Sequence, residues 1–181
     1  IPSLSPFPDE QISSNGQEDA LRPHLGLVCI TISDHIRYRT ITRKRLLQFD
    51  ELEQAALLRD LYAANLTRLQ GALDFCTLHH IRLYRFPTNL FPFADTPHGA
   101  AVLAEFSEEL GKVGAQAGQR GIRLVVHPEQ FIVLSSESPQ VVANSVMILE
   151  SQAWLMDLLG QPRSPWALLE IHGGKRGRSA E

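Results

Sequence analysis

The stretch RLVVHPEQFIVL (residues 123–134) sets an apolar run directly against His127-Pro128-Glu129-Gln130 and then turns apolar again. A short aliphatic, β-branched run of this kind reads as a buried strand, and Pro128 stiffens the exit and blocks continuation of the ladder. A second run, ALLEIHGG (167–174), also stops on a histidine, His172. Both endings raise one question: which fold collects polar side chains where its strands stop?

Four such runs recur: LGLVCITI (25–32), IRLYRF (81–86), GIRLVV (121–126) and WALLEI (166–171). Each gap between them carries a helical pattern. From Asp50 to His79, apolar residues return at three- and four-residue steps, and Asp50 with Glu53 reads as a capping box. A second helix is predicted over 99–119, stopping at Gly121. A third starts with Ser138 as cap and Pro139 in its first turn, and ends by Gly160 and Pro162. Strand–helix alternation of this length means βα units on a parallel sheet, which both doubly wound sheets and β/α barrels satisfy. No Gly-rich nucleotide loop follows any strand, which weighs against a nucleotide-binding doubly wound sheet. Four units are half of an eight-unit TIM-type (β/α)8 barrel, so the expected fold is α/β, the first half of such a barrel.

The 181 residues with 44% apolar content are enough for one domain with a sizeable core. Residues 1–24 are rich in Pro, Ser and acidic or amide side chains and read as a flexible leader without the pattern of a signal peptide. No run approaches a membrane span, and Cys29 and Cys76 form neither a metal spacing nor a disulfide framework, so a reducing cytoplasm is expected. Net charge is −3, against indiscriminate polyanion binding, yet Arg37, Arg39, Arg43, Lys44 and Arg45 crowd one segment around Tyr38. That segment is either a solvated loop or a phosphate-contacting patch.

In both architectures chemistry sits at the carboxyl ends of the strands. His127 and His172 stand there, as ligands for Mn, Zn or Fe or as structural histidines. Glu170 shares the strand face of His172. In a barrel interior it must be a metal ligand or the partner of an arginine such as Arg85 or Arg123. Asn89 follows the second strand as a ligand or substrate contact. Gln130 and Phe131 pair an amide with an aromatic plate, equipment for unstacked bases or ordinary core. His79 and His80 belong to a helix end, His24 to the leader and His98 to a loop.

LGLVC (25–29), NLTRL (65–69), YRFPTNLFPFA (84–94), VHPEQFIVLSS (126–136) and EIHGG (170–174) occur in the order found in UV damage endonucleases. The chain resembles that family over residues 25–178, and the HPEQF and YR…NLFPFA segments are its most specific matches. The resemblance implies a β/α-barrel endonuclease domain from residue 25 onward, acting on damaged double-stranded DNA with up to three divalent ions, usually Mn2+. Such enzymes cut 5′ to cyclobutane pyrimidine dimers and 6-4 photoproducts. It further implies metal-site roles for His127 and His172 and a lesion-probing role for Gln130 and Phe131. Departures are visible. Asn89 stands where some members have His, Leu27 where some have Tyr, and Thr31 where some have Asn. Phe131 keeps the stacking face of a Tyr without its hydroxyl, and Gly173 follows His172 directly. Most remaining ligands of the family belong to the other half of its barrel, so this chain alone is expected to cut little or no DNA. Two readings compete with the nuclease. A barrel sugar isomerase or epimerase explains the histidines but not the arginines, and a fragment that only binds DNA explains the arginines alone.

Overall fold

The structure, a computed structural model, describes residues 26–28, 33, 35–128 and 132–171. In chain order it holds β1 (Gly26–Val28), α1 (Arg43–Leu46), α2 (Glu51–Leu78), β2 (Leu83–Pro87), a 3-10 turn (Thr88–Leu90), α3 (Pro97–Ala104), α4 (Ser107–Gln119), β3 (Arg123–His127), α5 (Pro139–Leu158) and β4 (Leu168–Leu169). The strands form one parallel sheet in the order β1-β2-β3-β4. The order never reverses, so the topological switch point of a doubly wound sheet is missing among the described strands. Sequential parallel neighbours joined by helices are the repeat from which a β/α barrel is built.

Register sorts the side chains. Tyr84 lies beside Leu124 and Phe86 beside Val126, and all four join a core with Leu58, Leu69, Leu73, Leu110 and Leu155 from the helices. Because strand side chains alternate, Leu83, Arg85 and Pro87 point the other way, level with Arg123, Val125 and His127. One face is therefore sealed by helices and the other carries charge. Among the described residues no helix is long and apolar enough to cross a membrane.

Helix ends follow local chemistry. The Asp50 side chain accepts from Glu53 N–H while the Glu53 carboxylate accepts from Asp50 N–H, which gives the expected capping box. Three helices close alike. Ile81 N–H bonds Cys76 O after α2, Ile122 N–H bonds Ala117 O after α4, and Gln161 N–H bonds Met156 O after α5. The residue before each is left-handed: His80 (φ 56°), Gly121 (φ 64°) and Gly160 (φ 62°). Two expectations need correction. The helix predicted over 99–119 is two, because 3-10-type bonds from Glu105 N–H to Val102 O and from Phe106 N–H to Leu103 O end α3. The Phe106 ring then sits edge-on, 6.3 Å from that of buried Tyr62. His98 belongs to α3 and not to a loop.

Candidate functional site

At the carboxyl ends of the strands the charged face converges on one carboxylate oxygen. His127 ends β3, Pro87 lies opposite it on β2, and Glu170 follows β4, where its N–H bonds Val126 O. Glu170 Oε2 is 2.9 Å from His127 Nδ1 and accepts from Arg85 Nη1 at 3.0 Å. An ionised carboxylate can only accept, so His127 donates through Nδ1–H and that tautomer carries its ring lone pair on Nε2. All three side chains are partly exposed, at 28% for His127, 30% for Arg85 and 41% for Glu170, so the cluster is open to a ligand. Arg123, the other arginine considered for Glu170, instead donates to the carbonyls of Pro165 and Trp166 at the far end of the strand.

An imidazole oriented by a carboxylate is a nitrogen ligand of the kind Mn, Zn and Fe accept. No third His, Cys, Asp or Glu completes a metal group among the described residues. His172, Gln130 and Phe131 lie outside the described residues. Asn89 is exposed on the 3-10 turn two residues beyond Pro87, beside a cleft of about 210 Å³ that Thr88, Phe91, Phe93, Asp95 and Gln152 also line.

Over residues 36–39 the basic segment alternates in and out. Ile36 is buried, Arg37 exposed, Tyr38 half-buried and Arg39 exposed. The Tyr38 and Tyr84 hydroxyls are 2.6 Å apart, which ties the segment to the helix-covered face of β2, opposite the face that carries Arg85. Thr42 caps α1 through its hydroxyl, and Leu46 anchors that short helix while Arg43, Lys44 and Arg45 face solvent. Elsewhere several exposed cations are neutralised, Arg59 by Glu105, Lys112 by Glu108 and Arg163 by Asp157, while exposed Arg82 has no acidic partner among the described residues. The pairing shows in the acids, whose carboxyl groups are held below the usual range by hydrogen bonds from those cations. Arg39, Arg43, Lys44 and Arg45 have no acidic partner among the described residues. Four cations without local counter-charge create a field that a polyanion would answer.

Two contributors escaped the sequence reading. Tyr84 sits within a strand run, and its hydroxyl leaves no signal in the sequence. Asn65 did give one: it is a polar residue on a helix face that otherwise reads Leu58, Leu61, Tyr62, Leu66, Leu69, Leu73, and it is fully buried.

Comparison with known proteins gives these arrangements a context. The sequence profile of a family described as UV-endonuclease UvdE matches residues 23–181. A UV DNA damage endonuclease of Nostoc sp. is 46% identical over 173 residues, which cover 94% of this chain and 52% of that protein. Its counterpart in Deinococcus radiodurans is 46% identical over 162 residues, covering 88% of this chain and 53% of the relative. The crystal structure of SacUVDE superposes with a TM-score of 0.70 at 27% identity, over 83% of this chain and 49% of that one. The chain thus spans about half the length of the curated relatives it matches.

Proposed function

The chain belongs to the UV-endonuclease UvdE family, and on that premise we propose that it serves as the N-terminal half of a β/α-barrel DNA-repair endonuclease. In this reading the enzyme cuts damaged double-stranded DNA 5′ to cyclobutane dimers and 6-4 photoproducts, with divalent ions, manganese first among them. The observation that carries the proposal is the His127–Glu170–Arg85 cluster together with Arg39, Arg43, Lys44 and Arg45, which have no acidic partner among the described residues. A barrel sugar isomerase accounts for the cluster and leaves those cations without a purpose.

His127 and His172 would hold the metal. A divalent ion supplies Lewis acidity, activating water for attack and neutralising charge on the leaving 3′-oxygen. Glu170 serves it indirectly: Arg85 already uses its Oε2, and its bond to Nδ1 orients the His127 ring and favours the tautomer whose lone pair is on Nε2. Arg39, Arg43 and Lys44 would bind backbone phosphates and set the duplex on the strand ends, without reading sequence. Gln130 and Phe131 would meet the extruded lesion, the phenyl ring by stacking and the amide by base edges.

The test is incision of a duplex carrying one cyclobutane dimer, in manganese. The chain is assayed alone and joined to the C-terminal half of the Nostoc relative. Cutting 5′ to the dimer by the joined protein, with little by the chain alone, is expected. No dimer-dependent cut from a folded, manganese-loaded joined protein would end the proposal.

A further inference from the structure

A fully buried amide on an apolar helix face needs a tertiary reason, because burying it without hydrogen bonds is costly. Asn65, midway along α2, has one. Its Oδ1 accepts from Arg39 N–H at 2.7 Å, and its Nδ2 donates to Arg39 O at 2.8 Å and to Leu90 O at 2.7 Å. The side chain thus pairs with both main-chain groups of Arg39, as a neighbouring strand would, and with its remaining N–H holds the turn that carries Asn89. One amide ties the basic segment to the exit of β2, the strand that presents Arg85. The Arg39 backbone is fixed while its guanidinium stays exposed.

We propose that Asn65 is a positioning residue for DNA binding: it sets where the basic segment meets the phosphate backbone relative to the strand ends. The inference rests on the reading of that segment as a phosphate-contacting surface. A fixed backbone holds Arg39 in one place, so the reach of its exposed guanidinium to a phosphate costs little ordering on binding. Released from Asn65, the segment keeps its charge and loses its register.

The experiment measures the dissociation constant of the full chain for a short undamaged duplex as salt is raised. Wild type, Asn65→Leu, Asn65→Ser, Arg39→Ala and the two double variants are compared, with thermal unfolding of each. Loss of one phosphate contact lowers the slope of log K against log salt by about 1. Either folded Asn65 variant is expected to weaken binding roughly fivefold to tenfold and to lower the slope by about 1. In the Arg39→Ala background the same substitution should cost little further affinity while lowering the unfolding temperature as much as before. In the wild type, Arg39 N–H should exchange slowly with solvent despite its exposed side chain. Additive losses of affinity, an unchanged slope in a folded Asn65 variant, or fast exchange at Arg39 overturns the inference and makes Asn65 a packing residue. Wild-type affinity and slope in Arg39→Ala overturns the phosphate-contact reading itself, and the inference with it.

Discussion

His127 Nδ1 and Glu170 Oε2 stand 2.9 Å apart across neighbouring strands, on an oxygen that also receives Arg85 Nη1. The prediction is that neutral His127 is held in the Nδ1–H tautomer, readable in its ring nitrogen shifts by NMR. In Glu170→Leu those shifts should move toward the mixed tautomers of a free imidazole. The stability lost should be small, about 1 kcal/mol or less, because the ion pair is partly exposed and screened. Unchanged shifts in that variant would separate His127 from Glu170 and remove the indirect role assigned to the carboxylate.

Cations with and without partners should behave differently toward DNA. Arg43→Ala and Lys44→Ala each remove a solvent-facing charge that no described acid neutralises. Each should weaken duplex binding irrespective of sequence and reduce the salt slope by about 1, with unfolding temperatures near that of wild type. Arg59→Ala is the control, since Glu105 binds that guanidinium through Nε and Nη2. Equal losses from all three substitutions would mean that net charge alone is being sensed.

His80 occupies a left-handed position that the ends of α4 and α5 fill with glycine. Its φ of 56° costs a residue with a Cβ strain that glycine avoids. His80→Gly should therefore stabilise the protein by about 0.5–1 kcal/mol, although glycine also gains freedom in the unfolded chain. Differential scanning calorimetry checks the sign. A clear loss of stability would mean that the imidazole makes contacts worth more than the strain.

What could be read in the sequence followed from local chemistry. Asp50 and Glu53 are three residues apart, so their capping box needs no knowledge of the fold, and Gly121 marks a helix end by the same logic. Strand alternation likewise left Glu170 with Arg85 as one of two arginine partners. The features that were not read depend on distant chain. At the break between α3 and α4, Ser107-Glu108-Glu109 offers a local start signal for α4, but its cause, Phe106 turning toward Tyr62, lies far back on α2. Asn65 signalled itself only as a polar gap in an apolar stripe; its partners, Arg39 and Leu90, are 26 and 25 residues away. His172, Gln130 and Phe131 lie outside the described residues, so their roles rest on the proposal above.

Burial of Cys76 makes folding stability depend on pH in the alkaline range. The thiol is fully buried on α2, and desolvation of its thiolate pushes the pKa from 9.0 up to about 11. Below pH 9 the folded and unfolded chains both hold the proton, and the group favours neither. Between about 9 and about 11 the unfolded chain gives up the proton while the folded one keeps it. Folding stability then falls as pH rises, by as much as about 2–3 kcal/mol over the whole interval. Tyr62, raised by burial and secondarily by Asp95, adds to the loss from about pH 10 upward. Urea unfolding at pH 8, 9, 10 and 11 should show wild type ahead of Cys76→Ala at the start, since the variant loses packing. The gap should narrow as pH climbs, because only the wild type has this thiol to ionise. A constant difference across the series would mean that Cys76 ionises equally in both states, and that its burial costs the thiolate nothing.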